Sequence, residues 1–183
     1  MTGQNLVGVA GTGTGKTAAF LIPIIQELIS EKADHTALII TPTRELARQI
    51  NDDFRSLSRG LGIYSTCLIG GTSVSESIKS LRRTNHLVIG TPGRLLDMHK
   101  QGFLPFARFK KLILDEFDRM LDMGFKEEMR VINNKMTNKK QTLLFSATID
   151  ESQRKIMSEI TGDALEVRAA MDIQKTDAIR QEI

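Results

Sequence analysis

Apolar and polar positions divide the chain into short apolar runs and longer stretches whose apolar residues recur every three or four positions. The short runs predict strands at 6–10, 37–41, 63–69, 86–90, 111–114, 141–145 and 165–168. The longer stretches predict helices at 18–30, 44–59, 74–83, 92–101, 119–136 with a break at Gly124, and 151–161. A polar connector at 31–35 joins the first helix to the second strand. Because strands alternate with helices, the pattern predicts a three-layer α/β fold whose mostly parallel sheet carries helices on both faces.

A polar or glycine-rich cluster follows each of the first six predicted strands. In chain order, these clusters are 11–15, 42–45, 70–71, 91–94, 115–118 and 146–148. The carboxyl ends of parallel strands meet at one edge of a sheet, and ligands of such folds bind beyond that edge. We therefore expect the clusters to share one rim, and we expect the functional site to lie there.

Composition limits the functions that this rim can serve. The chain has 183 residues and a formal net charge of +3, which suits one well-buried domain and permits nucleic-acid binding without requiring it. Cys67 is the single cysteine, which excludes a disulfide framework or a cysteine-rich zinc site within one chain, and its apolar neighbours predict a small core residue. No apolar stretch reaches the roughly 18 residues of a membrane span, so we expect no membrane contact and a cytoplasmic location.

The first cluster belongs to the segment from Leu6 to Thr17, which reads LVGVAGTGTGKT. A buried strand, a glycine-rich turn and a helix start form a phosphate cradle, because loop N–H groups and the positive end of the helix face one concavity. Lys16 is expected to reach the β- and γ-phosphates of a nucleotide, and the Thr17 hydroxyl to bind the bridging Mg²⁺. Ala10 stands where the generic P-loop pattern has glycine, so the strict motif is missed by one residue. The residues predicted to hold the phosphates are Ala10, Gly11, Thr12, Gly13, Thr14, Gly15, Lys16 and Thr17.

The fifth cluster supplies the acidic partner that a P-loop needs for Mg²⁺. Asp115 and Glu116 follow the apolar run at 111–114, so they stand at the end of a buried strand. Asp115 is predicted to hold the ion, and Glu116 to orient or deprotonate the attacking water. Phosphoryl transfer to water depends mostly on positioning and electrostatic stabilisation, so Lys16, Asp115 and Glu116 are the predicted catalytic residues.

Taken together, the six clusters resemble motifs I, Ia, GG, Ib, II and III of the DEAD-box RNA helicases, in that family's order. They read AGTGTGKT, PTRELA, GG, TPGR, DEFD and SAT. The resemblance covers nearly the whole chain, and six motifs in register are very specific. It implies an N-terminal RecA-like P-loop NTPase domain over 1–168, followed by a linker at 169–183 toward a second RecA-like domain.

The same resemblance implies a role for each cluster. ATP and Mg²⁺ would bind at the first and fifth clusters, through the residues already named there. Asp118, Ser146 and Thr148 would couple the nucleotide site to RNA binding. The remaining clusters would hold the sugar–phosphate backbone of one RNA strand without reading its bases. Their residues are Pro42, Thr43, Arg44, Gly70, Gly71, Thr91, Pro92, Gly93 and Arg94.

The chain departs from the family pattern at two positions and at both ends. Phe117 stands where the family has alanine, and we expect its bulky ring beside the magnesium carboxylates to shift Asp118 or slow turnover. Gly11 replaces a residue with a side chain, which should loosen the loop slightly. The family's adenine-reading segment lies before motif I, where only 2–5 precede the first strand here, and motifs IV to VI belong to the second domain. We therefore expect very weak ATPase activity and no unwinding from this chain alone.

Other hypotheses stay open on sequence grounds. The chain could be a nucleotide-responsive RNA-binding domain without turnover, which Phe117 and the missing second domain favour. It could also be a DNA helicase or translocase of the same superfamily. A P-loop metabolite kinase is a remote alternative, because no segment forms a lid or a second substrate pocket. We expect a monomer whose partners are RNA and a second RecA-like domain.

Overall fold

A computed structural model describes residues 3–11, 13–30 and 36–169 of the chain. Some predictions fall elsewhere: Thr12 as a phosphate contact, the connector at 31–35, and the linker at 169–183 except for Ala169 all lie outside the described residues. Within the described ranges, no helix is both long enough and apolar enough to cross a membrane.

A single seven-stranded sheet forms the centre of the fold. Its strands are β1 Asn5–Val9, β2 Thr36–Ile40, β3 Ser65–Leu68, β4 Leu87–Gly90, β5 Phe109–Leu114, β6 Gln141–Ser146 and β7 Ala164–Arg168. Their order across the sheet is β3-β4-β2-β5-β6-β1-β7, and every one of these pairings is parallel. The predicted α/β class is confirmed, and the sheet is parallel throughout where a mostly parallel one was expected.

The helices also follow the prediction closely. They are α1 Lys16–Ser30, α2 Arg44–Leu57, α3 Val74–Leu81, α4 Pro92–Lys100, α5 Phe117–Asp122, α6 Lys126–Lys135 and α7 Glu151–Thr161. The expected break at Gly124 separates α5 from α6. Asp150 and Gln153 form a reciprocal capping box at the start of α7, so the polar spacing fixes where that helix begins. A short 3₁₀ turn at Phe106–Arg108 was not predicted.

Two apolar clusters cover the two faces of the sheet, because alternate residues of a strand point to opposite sides. Leu38 and Ile40 of β2 belong to the cluster that packs against α4, α5, α6 and α7. Ala37 and Ile39 belong to the cluster under α1 and α2. Cys67 packs half-buried against this second cluster, and burial raises the pKa of its thiol to about 11. It is therefore an inert core residue, as predicted.

Candidate functional site

The six clusters lie along one rim of the sheet, as expected. Strand order arranges them as 70–71, 91–94, 42–45, 115–118, 146–148 and 11–15. Backbone hydrogen bonds join neighbours on this rim: the Ala10 N–H donates to the Ser146 carbonyl at 3.0 Å, and the Asp115 N–H to the Ile40 carbonyl at 3.0 Å. The predicted nucleotide loop therefore lies at one end, the predicted RNA clusters at the other, and 115–118 with 146–148 between them.

The glycine-rich loop closes on itself ahead of α1. Gly13 and Gly15 have φ angles of +79° and +85°, in the left-handed region that favours glycine. The Thr14 hydroxyl donates to the Gly11 carbonyl at 2.9 Å, and Lys16 Nζ donates to the Ala10 carbonyl at 2.7 Å. Ala10 takes part through its backbone carbonyl, which alanine supplies as well as glycine does. The loop thus holds the Lys16 ammonium at the start of the helix, where a phosphate is expected.

Asp115 occupies a buried position at the end of β5. The residue is 3% exposed, and the Glu116 N–H donates to its Oδ1 at 3.1 Å. Burial raises the pKa of Asp115 to about 6; the Lys16 ammonium opposes this rise, whereas the Glu116 and Asp118 carboxylates add to it. A buried carboxylate short of positive charge is the environment that a divalent cation stabilises. Asp115 and the half-buried hydroxyl-bearing Thr17 therefore suit the oxygen ligands that Mg²⁺ prefers.

Glu116 is held in an unusual backbone conformation. Its φ of 54° and ψ of 52° lie in the left-handed region, and it is the one non-glycine residue with positive φ among the described residues. Such strain costs on the order of 1 kcal/mol and clusters at functional sites. The Arg119 Nη1 donates to Glu116 Oε2 at 3.2 Å. This conformation turns the chain from β5 into α5 and keeps Glu116 beside Asp115 at the rim.

A hydrogen-bonded bridge links the fifth and sixth clusters. The Thr148 N–H and hydroxyl both donate to Asp118 Oδ2, at 3.0 and 3.1 Å. The Asp118 N–H donates to the Ser146 hydroxyl oxygen at 3.2 Å, and that hydroxyl donates to the Thr148 carbonyl at 2.5 Å. Burial opposes ionisation of Asp118, but the hydrogen bonds from Thr148 and Arg119 outweigh it and lower the pKa of this carboxyl. The structure thus brings together the three residues predicted to couple the two sites.

The glycine pair at 70–71 makes room for Arg44. A Cβ atom at Gly70 would lie 3.0 Å from Arg44 Nη2, and one at Gly71 would overlap Nη1. The Thr43 hydroxyl caps α2 by accepting from the Leu46 N–H at 3.2 Å. Three predicted RNA clusters therefore meet here, because β2, β3 and β4 are neighbours in the sheet.

Arg94 has a role that sequence reasoning missed. Its side chain is 8% exposed, and its Nη1 lies 3.7 Å from Asp97 Oδ2. Its Nε donates to the Ile69 carbonyl at 3.1 Å, and its Nη2 donates to the Thr72 carbonyl. Arg94 therefore stabilises the turn that contains the glycine pair by hydrogen-bonding to residues on both sides of it. Its contact with RNA stays a prediction, and the structure adds a positioning role.

Two apolar residues at the rim were also missed. A cavity of about 650 Å³ brings together the clusters at 42–45 and 91–94 with Gly70, and Met123 and Phe125 also line it. Met123 and Phe125 flank Gly124, so the predicted helix break was the one sequence feature that could have indicated them. Nothing in the local sequence showed that this break would pack beside β2 and β4.

The expectation for Phe117 was wrong in one respect. Its ring is fully buried in the apolar cluster beneath α4 to α7 and is not exposed at the rim with the carboxylates predicted to bind Mg²⁺. The reason is that Phe117 begins α5 on the side that packs against the sheet. With this ring in place, Asp118 accepts hydrogen bonds from Thr148. An effect on turnover stays a prediction.

Gly71→Ala is expected to lower the free energy of unfolding by about 1–2 kcal/mol, because the left-handed backbone disfavours a side chain. The φ of Gly71 is +82°, and the new methyl group must also displace the Arg44 guanidinium. Gly93→Ala is the matched control, because a Cβ atom there meets nothing within 4 Å. Urea unfolding of both variants provides the measurement. Equal losses from the two changes would contradict the geometry described at 70–71.

The fold and the rim together define a RecA-like P-loop NTPase domain. The chain belongs to the DEAD/DEAH box helicase family, whose model matches residues 1–156. It is similar to the DEAD-box ATP-dependent RNA helicase CshA of Streptococcus pneumoniae, at 43% identity over 85% of this chain and 30% of that protein. It is also similar to the ATP-dependent rRNA helicase RRP3 of Candida albicans, at 37% identity over 99% of this chain and 34% of that protein. The chain therefore spans about a third of the length of these curated relatives.

Solved structures give the same assignment. A DEAD box protein from Methanococcus jannaschii superposes with a TM-score of 0.84 at 41% identity, over 91% of this chain and 46% of that one. The yeast DEAD-box splicing factor Prp28 superposes with a TM-score of 0.83 at 30% identity, over 91% of this chain and 41% of that one. These likenesses support the RecA-like fold predicted from the sequence.

Proposed function

We propose that this chain is the ATP-binding half of an ATP-dependent RNA helicase. ATP and Mg²⁺ bind at the part of the rim formed by β1, β6 and β5. One RNA strand binds at the part formed by β2, β4 and β3. The observation that carries the proposal is the bridge from Asp118 to Ser146 and Thr148, which lies between these two parts.

Each group of residues at the nucleotide site has a distinct task in this proposal. The loop N–H groups and the Lys16 ammonium bind and orient the phosphates. Thr17 and Asp115 would hold Mg²⁺, which neutralises phosphate charge when it is bound. Glu116 accepts a proton from the attacking water or orients it, and its strained backbone fixes where that carboxylate stands. These tasks need groups held in place before the substrate arrives, and the hydrogen bonds at the rim supply that rigidity.

The RNA part of the rim suits phosphate binding rather than base reading. The helices α2 and α4 both begin there, after Thr43 and Thr91, so the first-turn N–H groups that Thr43 does not cap open on the rim. Helix N-termini attract anions through those groups and through the helix dipole. Contacts of this kind position a strand without carrying sequence information, so we expect little preference among RNA sequences.

A second RecA-like domain completes the proposed machine. The chain covers about a third of the length of relatives that are named ATP-dependent RNA helicases. The complete helicase activity is therefore expected only when the second domain is present. We expect very weak ATPase activity and no duplex unwinding from the chain alone, as a monomer. Phosphate release with and without RNA tests the first expectation, and Glu116→Gln should abolish what remains while ATP binding persists. Robust unwinding by the purified chain would contradict the proposal.

The competing hypotheses are separated by two comparisons. A nucleotide-responsive RNA-binding domain without turnover would release no phosphate above the level of Glu116→Gln. A DNA helicase or translocase would bind a DNA strand at least as tightly as the RNA strand of matched sequence. We expect the chain to bind the RNA strand more tightly than the DNA strand.

A further inference from the structure

A polar cleft lies at the opposite end of the sheet from the rim. It has a volume of about 870 Å³ and lies between the end of α2, the start of β3 and the connection from α3 to β4. Arg55, Arg59 and Arg83 line it, and the described residues lining it include no carboxylate. None of the ion pairs found within the described ranges involves these arginines. Three arginines that make no ion pair within the described ranges therefore line the cleft, which suits it to an anion.

One wall of this cleft is an exposed aromatic residue on a fixed backbone. Tyr64 is 58% exposed. Its N–H donates to His86 Nδ1 at 3.1 Å, and its carbonyl accepts from the His86 N–H at 2.9 Å and the Leu87 N–H at 3.2 Å. Burial lowers the pKa of His86, which keeps the ring neutral and able to accept that bond at neutral pH. The backbone that carries Tyr64 is thus fixed, and its exposed ring is available for stacking.

Asn85 fixes another part of the cleft lining. Its side-chain amide donates to the Ser80 carbonyl at 3.0 Å and to the Arg83 carbonyl at 2.6 Å. Its Oδ1 accepts from the Thr66 hydroxyl. These bonds tie the loop that carries Arg83 to β3. Both parts of the lining are thus held by hydrogen bonds, and little backbone ordering is left to oppose binding.

We propose that this cleft is a second RNA-binding site, which takes backbone phosphates of a single strand and stacks one base on Tyr64. The proposal rests on the proposed function for the choice of RNA as the polyanion. Arginine suits phosphate because its planar fork donates two hydrogen bonds at once. An exposed ring beside three arginines favours a nucleic acid over an acidic peptide, because bases stack on aromatic rings whereas carboxylate side chains do not.

The position of the cleft fits a strand that continues from the rim. β3 is an edge strand, with the glycine pair just beyond its carboxyl end and Tyr64 just before its amino end. Its four residues span roughly 13 Å, so both sites lie along one side of the domain. RNA that leaves the rim at 70–71 can follow this edge to the arginines.

Tyr64 provides a direct test, because the chain has one tyrosine and no tryptophan. Intrinsic tyrosine fluorescence therefore reports on the cleft alone. Addition of single-stranded RNA is expected to quench it, with correction for absorption by the RNA. Arg83→Gln should weaken RNA binding about tenfold, so that the quenching needs about ten times more RNA. Arg82→Gln is the matched control, since this exposed neighbour carries the same charge but does not line the cleft.

Fluorescence anisotropy of labelled RNA provides the affinities. Arg83→Gln should also lower the slope of log affinity against log salt by about 0.7, the value for one phosphate contact on a single strand. Tyr64→Phe should keep the affinity, and Tyr64→Leu should lose about tenfold, as expected for one stacked base.

The outcomes separate this inference from the proposed function. RNA that binds without quenching Tyr64, or that quenches it equally in Arg83→Gln, would overturn the second site and leave the rim untouched. Absence of any RNA binding to the unaltered chain would overturn both. Quenching by polyglutamate but not by RNA, with the same dependence on Arg83, would assign the cleft to an acidic protein segment and overturn the choice of RNA.

Discussion

Phe117→Ala is expected to lower the free energy of unfolding by about 3–5 kcal/mol, even though it restores the residue typical of the family. The Phe117 ring has no exposed surface and packs in the apolar cluster beneath α4 to α7. Removing it leaves a cavity that the surrounding helices fill only in part. Equilibrium urea unfolding, followed by circular dichroism, measures the loss.

Phe103→Ala is the matched control for this change. Phe103 is 37% exposed, so the same atoms are removed from a side chain that leaves no closed cavity. Its loss should be about 1 kcal/mol or less. If Phe117→Ala cost no more than this control, the ring would not lie in the core. The earlier expectation of a ring beside the carboxylates predicted to bind Mg²⁺ would then return.

Asp115→Asn is expected to stabilise the ligand-free fold while weakening nucleotide binding. Burial raises the pKa of Asp115 from 3.8 to about 6, so ionisation at neutral pH costs up to about 3 kcal/mol. Asparagine has no charge to desolvate, and it removes this cost. The same change deletes the carboxylate expected to hold Mg²⁺, and binding of ADP with Mg²⁺ should fall by about tenfold to a hundredfold.

The pH dependence gives the sign of this effect. A carboxyl whose pKa is raised in the folded state binds more protons when folded, so it lowers stability as pH rises. Below its ordinary pKa of 3.8, Asp115 is protonated in both states and the variant should have no advantage. The advantage should grow up to about pH 6 and then stay constant. Asp122→Asn, at an exposed position on α5, is the matched control. An advantage that declines with rising pH would contradict the burial argument.

The order of elements was predictable because strand and helix periodicities differ and because polar residues punctuate the chain. The residues at which the strands and helices begin and end were less predictable. The apolar run at 63–69 predicted a seven-residue strand, but β3 is Ser65–Leu68. Ile63 and Ile69 are buried in the cluster under α1 and α2 without pairing in the sheet. Apolar sequence reports burial, whereas strand ends depend on partners that only the folded chain provides.

The candidate site was predictable to the level of residue clusters. Each cluster follows a strand, and a parallel sheet brings such ends together, so the rim needed no knowledge of tertiary contacts. What each side chain touches was not predictable. Arg94 reaches carbonyls more than twenty residues away, and Phe117 packs on helices distant in sequence. Such contacts depend on helix rotation and neighbouring volume, which local sequence does not encode.

Calorimetric titration of the purified chain with ADP and Mg²⁺ tests the central claim most directly. We expect saturable binding, and we expect Lys16→Ala to weaken it at least about tenfold by removing a charge-assisted contact with phosphate. Lys155→Ala, at an exposed position on α7, should leave the affinity unchanged. Absence of binding to the unaltered chain, or equal binding to Lys16→Ala, would contradict the assignment of this rim as a nucleotide site.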